Sequence, residues 1–176
     1  MTIKELESSV GGLSKPSKMP WYSYSISAYR CKVGSKLRKM KGSVCASCYA
    51  TKGRYRFGNV QNAMERRYEM IMQNPQLWAS NMIMLLDRKS QGKRQYFRWH
   101  DSGDLQNELH LEAILKIARH LPHIKFWLPT KEYGLVMKYA EQIGDTPNLT
   151  VRVSAPNVGE VIKPYPNMVT SSVGAD

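Results

Sequence analysis

The chain has 176 residues, and its 26 Lys and Arg against 14 Asp and Glu give a net charge of +12 at pH 7. This length fits one domain that buries a core without disulfide bonds. No stretch approaches the roughly 20 apolar residues of a membrane span, and residues 1–14 lack the apolar run of a secretion signal, so we expect a cytoplasmic protein.

The first two segments lead to a cysteine. Residues 1–20 are rich in Ser, Gly, Pro and Lys, which predicts a flexible, irregular N-terminal arm ahead of a single domain over residues 21–176. From Trp21 to Tyr29 large and small residues alternate, which is typical of a β-strand. We expect this strand to place Cys31 at its carboxyl end.

A basic segment follows, and it contains the other two cysteines, Cys45 and Cys48. Residues 1–67 hold fourteen Lys and Arg against three acidic residues, and no acid lies between residues 8 and 64. Such a positive field attracts the phosphates of a nucleic acid or of a small substrate, although a solvated loop can carry the same charge. The residues predicted to contact phosphate or nucleic acid are Lys36, Arg38, Lys39, Lys41, Lys52 and Arg54.

Helices and strands then alternate to the end of the chain. The apolar period predicts a helix from about Asn59 that ends before Pro75, and a second helix over residues 76–86. The later predicted elements are strands at 95–99, 124–128, 149–154 and 168–172 and helices at 105–120 and 132–143. This alternation predicts an α/β fold: a partial (βα) barrel or an open parallel sheet of about four to five strands, with helices packed outside.

Polar residues follow four of the predicted strands. In parallel α/β folds the carboxyl ends of the strands meet at one edge of the sheet, where ligands bind. One shared site therefore explains these residues better than four separate loops. They are Arg30 and Cys31, His100 to Asp104, Thr130 and Lys131, and Arg152 and Ser154.

The three cysteines indicate metal ligation before a disulfide, because their number is odd and the expected compartment is reducing. Thiolates suit both iron–sulfur clusters and zinc, and a set of three leaves one metal position open for a substrate. With His100 they would instead complete a Cys3His zinc site. The protein would then be a zinc-stabilised basic module that binds nucleic acid or a host protein, for example as an inhibitor of host defence, without catalysis. Three buried free cysteines without a ligand are a further alternative.

Four runs of the sequence resemble a family of phage and plasmid proteins known by a gene-product number. They are Cys-Lys-Val-Gly-Ser-Lys-Leu at 31–37, Gly-Ser-Val-Cys-Ala-Ser-Cys-Tyr-Ala-Thr-Lys-Gly-Arg-Tyr at 42–55, Phe-Arg-Trp-His-Asp-Ser-Gly-Asp-Leu at 97–105 and Phe-Trp-Leu-Pro-Thr-Lys-Glu-Tyr at 126–133. The resemblance covers roughly residues 17–155. It implies a phage or plasmid protein that works in the cytoplasm of a bacterial host cell.

The order of the cysteines, Ser102-Gly-Asp104 and Thr130-Lys131 also resembles a shortened radical SAM core. In that superfamily three cysteines hold a [4Fe–4S] cluster, and a segment after the second strand meets the amino group of S-adenosylmethionine. The resemblance implies an iron–sulfur protein and a radical SAM-like enzyme, with Cys31, Cys45 and Cys48 as metal ligands. Thirteen residues separate Cys31 from Cys45, more than the usual spacing. Ser47 stands where the superfamily commonly has an aromatic residue before the last cysteine, so Tyr49 would have to take that role.

Within this interpretation, roles are assigned by position at the strand ends. His100 and Asp101 are predicted to face the reacting centre as catalytic groups. The predicted substrate carries phosphate, as a nucleotide or a nucleic acid. The residues predicted to bind the cofactor are Tyr49, Ser102, Gly103, Asp104, Thr130, Lys131, Arg152 and Ser154.

Overall fold

Five parallel strands form one open sheet in the order β1-β2-β3-β4-β5. The computed structural model describes residues 1–174, and the prediction of an α/β fold with an open parallel sheet is confirmed. Each strand pairs with the next one along the chain, so every connection crosses back over the sheet as parallel pairing requires. The strands are β1 Ser23–Tyr24, β2 Gln95–Trp99, β3 Ile124–Thr130, β4 Leu149–Ser154 and β5 Val169–Ser171.

Three of the helices in residues 1–174 begin where a side chain caps a free backbone N–H group. The helix predicted to end before Pro75 does end there, and Pro75 also begins the next helix. That helix starts at this point because Asn74 accepts a hydrogen bond from the Leu77 N–H at 3.0 Å and because proline suits the first helical turn. The helices are α1 Ile3–Ser9, α2 Lys32–Arg38, α3 Gly58–Gln73, α4 Pro75–Ser90, α5 Glu108–His120, α6 Tyr133–Lys138 and α7 Ala140–Gly144. Four short 3-10 turns are Ala28–Arg30, Val44–Ser47, Tyr49–Thr51 and Gly53–Arg56.

The N-terminal segment differs from the irregular lead-in that its composition predicts. Thr2 and Glu5 form a reciprocal capping box, which begins helix α1. Leu6 and Val10 are fully buried in the same hydrophobic core as residues of α4. Part of the first 20 residues is therefore packed on the domain, because an amphipathic turn of helix covers apolar surface that would otherwise be exposed.

Strand β1 is much shorter than the alternation over residues 21–29 predicts. Only Ser23 and Tyr24 pair with β2, in register with Arg98 and Trp99. The chain then bends into a 3-10 turn, which Ser27 begins by accepting a hydrogen bond from the Tyr29 N–H. Cys31 therefore lies at the start of α2, several residues beyond the strand.

Side chains on β2, β3 and β4 alternate between two faces of the sheet, as the period of two requires. One face is apolar and packs under the helices, and Phe97, Trp99, Phe126, Leu128 and Val151 are buried there. The other face carries polar and aromatic side chains that stay partly or fully exposed. Within residues 1–174, none of the helices has the length and the apolar character needed to cross a membrane.

Candidate cofactor site at the strand ends

A cavity of about 220 Å³ lies at the carboxyl ends of β2, β3 and β4. It is covered by residues 31–56, which we call the cysteine-bearing segment. The structure brings most of the predicted site residues together there. Those that line the cavity are Cys31, Cys45, Cys48, Tyr49, His100, Asp101, Ser102, Gly103, Asp104, Thr130, Lys131 and Ser154. Four independent chain segments therefore contribute to one site.

The three cysteines are free thiols, and each is half-buried. Gly34, in the first turn of α2, explains how two of the sulfurs come close. A β-carbon built on Gly34 would lie 3.6 Å from the Cys31 Sγ and 3.7 Å from the Cys45 Sγ. Both sulfurs therefore border the same small space, which exists because this helical position has no side chain.

Burial and nearby negative charge disfavour thiolates at this site when no cation is bound. Burial raises the pKa of the Cys31 thiol, and the charges of Asp104, Cys48 and Cys45 raise it further. Burial also raises the pKa of Cys45, although the Lys131 ammonium opposes that shift. A metal that binds these sulfurs must displace their protons, so its own charge would supply the compensation that the protein lacks.

No group of three or more His, Cys, Asp and Glu side chains in residues 1–174 is arranged to hold a single metal ion. The same cysteines nevertheless line one cavity. Each cysteine of a 4Fe–4S cluster binds a different iron, so cluster ligands surround a larger volume than the ligands of one ion. The arrangement is compatible with such a cluster.

His100 follows β2 in a left-handed conformation, with φ of +54°, that few residues with a side chain adopt. Its backbone N–H donates to the carbonyl oxygen of Tyr24 at 2.9 Å, which holds the residue against β1. Neither ring nitrogen has a hydrogen-bond partner among the described residues. Burial, with smaller effects from His110 and Arg98, lowers the pKa of His100 well below its ordinary value, so the ring is neutral.

The next residues of this loop are held by tight packing. Gly103 has φ of +84°, and a β-carbon there would lie 2.3 Å from the Ile26 Cγ1. Buried Ser102 has an Oγ without a partner, and its carbonyl oxygen accepts a hydrogen bond from the Ile26 N–H at 3.2 Å. Glycine is therefore the residue that fits at position 103.

Asp104 connects the loop after β2 to the end of β3. Its Oδ1 accepts hydrogen bonds from the Thr130 hydroxyl at 2.6 Å and the Leu105 N–H at 2.8 Å. Its Oδ2 accepts one from the Lys131 N–H at 2.9 Å. Burial raises the pKa of Asp104 to about 6, and the three hydrogen bonds oppose that shift. The carboxyl group therefore orders the cavity wall, and cofactor binding by Asp104 stays a prediction.

Two tyrosines attach the cysteine-bearing segment to the same loop. The Tyr55 hydroxyl donates to the Asp101 Oδ2 at 3.1 Å, and the Tyr49 hydroxyl donates to the Asp101 carbonyl oxygen. The Tyr49 side chain also remains 56% exposed, so its ring is available beside the cavity. Asp101 therefore attaches the cysteine-bearing segment to the loop after β2. These contacts do not test its catalytic role, which stays a prediction.

Arg98 also lines the cavity and is not among the site residues predicted from the sequence. It lies on β2, two residues before the loop that begins at His100. The alternation of residues in β2 could have identified Arg98 from the sequence. It places Arg98 and Tyr96 on the face opposite the buried Phe97 and Trp99.

Several predicted phosphate or cofactor residues lie elsewhere. The Arg152 guanidinium is 5.5 Å from the centroid of the Trp127 ring and borders a separate depression on the sheet. Arg38 is half-buried and donates to the Ala28 carbonyl oxygen at 2.9 Å, so it is committed to the local fold. The remaining predicted phosphate contacts are exposed on the cysteine-bearing segment and do not line the cavity: Lys36, Lys39, Lys41, Lys52 and Arg54.

A protein-family model described as Gene product 88 matches residues 4–168. The matched range includes all three cysteines and every strand end that lines the cavity. Comparison with curated proteins and with solved structures gives no match.

Proposed function

The chain belongs to the gene product 88 family, a phage-type family, and from its cavity we propose that it is an iron–sulfur protein and a radical SAM-like enzyme. In this proposal Cys31, Cys45 and Cys48 hold a [4Fe–4S] cluster, and S-adenosylmethionine is the second cofactor. The substrate carries phosphate, as a nucleotide or a nucleic acid.

One observation carries the proposal: three cysteines from separate turns of the chain line a single cavity at the strand ends. The position of Gly34 supports it, because the missing side chain leaves space beside two of the sulfurs. The chemistry of the donor set also fits, since an all-thiolate set of three suits an iron–sulfur cluster with one open iron. When bound, such a cluster supplies the electron that splits S-adenosylmethionine.

The side chains around the cysteines have the polarity that an amino acid cofactor needs. The Lys131 side chain lines the cavity, where it would attract a carboxylate. The buried Ser102 Oγ has no partner and would accept a hydrogen bond from an ammonium group. The exposed Tyr49 ring would stack on a planar base, and the neutral His100 ring, whose nitrogens have no partner among the described residues, would form a hydrogen bond with a substrate.

Anaerobic purification, followed by measurement of iron and acid-labile sulfide per chain, tests the proposal. We expect a brown protein with broad absorption near about 400 nm, as thiolate-ligated iron–sulfur centres show. Reduction in the presence of S-adenosylmethionine should then yield 5′-deoxyadenosine. A protein that takes up neither iron nor sulfide under these conditions would refute the cluster.

Three single variants, Cys31→Ala, Cys45→Ala and Cys48→Ala, provide the control for the ligand set. Each should lose most of the bound iron and sulfide, because each removes one of the proposed ligands. Ser47→Ala is the matched control, since this residue lies between two of the cysteines but does not line the cavity. It should keep the metal content of the wild type.

The position of His100 supports a second candidate function, that of a zinc-stabilised basic module that binds nucleic acid or a host protein. The ring lines the same cavity as the cysteines, and both of its nitrogens lack partners among the described residues. Because the described side chains do not converge on one ion, zinc binding would require His100 and the cysteines to move closer together. Metal analysis separates the two functions. A colourless protein with one zinc per chain, lost in His100→Ala, would support the zinc module and contradict the cluster.

A further inference from the structure

The face of the sheet opposite the hydrophobic core forms a second surface beside the cavity. Tyr96 on β2 pairs in register with Lys125 on β3, and Arg98 pairs with Trp127. Residues paired in this way project to the same side of the sheet. Arg152 on β4 lies on that side as well, since it borders the same depression as Trp127. We call these five residues the open face.

Trp127 lies between two guanidinium groups. The Arg98 guanidinium carbon is 4.7 Å from the centroid of the Trp127 ring, and that of Arg152 is 5.5 Å away. The Nε of each arginine is shielded from solvent without a hydrogen-bond partner. The two guanidinium groups flank the ring, and neither forms an ion pair in the part of the chain that the structure describes.

The open face is positively charged and has no compensating acid. Strands β2, β3 and β4 contain no Asp or Glu, and Arg94 adds a further cation at 5.7 Å from the Tyr96 ring. The ion pairs found in residues 1–174 involve other residues, so none of these cations is neutralised by a carboxylate there. Four unpaired cations around two aromatic rings complement a ligand that has both negative charges and flat rings.

The open face continues into the cavity. It borders a depression of about 550 Å³, which is larger than the cavity at the strand ends. Arg98 lines the cavity and also contacts Trp127, which lines the depression. A ligand that spans both would reach the cysteines from the sheet surface.

We propose that the open face binds single-stranded nucleic acid and directs one nucleotide of the strand toward the cysteine cavity. Bases stack on Tyr96 and on the outer guanidinium planes of the Arg98–Trp127–Arg152 stack, and phosphates contact Arg94, Arg98, Lys125 and Arg152. The stacking requires bases whose faces are free, which a duplex does not offer. This inference names the substrate class of the proposed function and rests on that function for the claim that the bound strand is a substrate.

Binding of fluorescent single strands of about 15 nucleotides, a length that covers one such groove, tests the proposal. Oligothymidylate and oligouridylate distinguish a DNA strand from an RNA strand, and tighter binding of either one than of a duplex supports the proposal. Equal affinity for single strands and a duplex of the same length would overturn it, because charge attraction alone would then explain binding.

Two kinds of variant separate stacking from charge. Tyr96→Ala should weaken binding roughly 5- to 150-fold if one base stacks there, and it should fold normally because the side chain is 46% exposed. Trp127→Ala should also weaken binding, because it removes the ring between the Arg98 and Arg152 guanidinium groups. Arg94→Gln with Lys125→Gln should lower the slope of log affinity against log salt by about 1.4, since two phosphate contacts are lost.

The matched charge control is Lys39→Gln with Lys41→Gln, which removes two exposed cations from the cysteine-bearing segment. It should change the affinity less than the double variant on the open face does. If the control pair causes the larger loss and Tyr96→Ala causes none, the strand binds the basic segment and the inference is wrong. Binding is measured with and without iron, so its failure is distinguishable from failure of the cluster proposal.

Discussion

Replacing Gly34 with alanine tests whether the Cys31 and Cys45 sulfurs border the same small space, as they do in the structure. The new methyl group would lie 3.0 Å from the Cys31 Cβ, closer than ordinary carbon contacts, and 3.6 and 3.7 Å from the two sulfurs. It therefore occupies part of the space beside the two sulfurs that the proposed cluster would need. We expect Gly34→Ala to lose most of the iron and sulfide that the wild-type protein takes up.

The effect of this variant on stability has two opposing parts. Alanine is favoured over glycine inside a helix by about 1 kcal/mol, whereas crowding in a packed site costs about 1–3 kcal/mol. The net change in the free energy of unfolding should lie between about zero and 2 kcal/mol of destabilisation. For a chain of this length that corresponds to a fall in Tm of up to about 8 °C.

Gly134→Ala in α6 is the matched control, because a β-carbon there meets no atom within 4 Å. It should raise Tm by about 2–4 °C through helix preference alone and should keep the metal content of the wild type. The assay compares Tm by circular dichroism with iron and sulfide per chain after anaerobic reconstitution. If Gly34→Ala shows the same rise in Tm as the control and full iron content, our account of the cysteine site is refuted.

Three further predictions concern the loop after β2. Gly103→Ala should destabilise the fold by about 2–5 kcal/mol, since it combines a left-handed backbone with a contact of 2.3 Å to Ile26, and thermal unfolding measures this. Asp104→Asn should cost about 1–3 kcal/mol in urea unfolding, because its amide NH2 would face a donor, most directly the Lys131 N–H. The raised pKa of about 6 for Asp104 means that the folded state gains a proton before the unfolded state does. The free energy of unfolding of the cluster-free protein should therefore rise by roughly 2 kcal/mol as the pH falls from 7 to 4.5, and Asp104→Asn should lack that gain. An unchanged pH profile in the variant would show that another group is responsible.

Much of the fold was predictable from local patterns. Strands β2 and β4 have the predicted bounds, because alternation of apolar and polar residues is a property of a few consecutive positions. The helix end before Pro75 was also predicted, since proline affects the backbone at its own position. These elements needed no information about distant parts of the chain.

Other elements depended on contacts that no local pattern reveals. The alternation at residues 21–29 was read as one strand, but only two of its residues reach β2. The predicted helix over residues 132–143 is two helices that meet at Tyr139, and that side chain is held by hydrogen bonds to acidic residues of α5. Tertiary contacts overrode the local preference in both places.

Local patterns in the sequence predict the class of fold, the edge of the sheet at which polar residues gather, and the close spacing of Cys45 and Cys48. Only the tertiary structure brought Cys31 beside them and placed Arg98, Trp127 and Arg152 in one stack. The physical reason is that periodicity specifies which side of its own element a residue occupies. Which residues become neighbours is decided by the crossover connections and turns, which bring distant segments into contact.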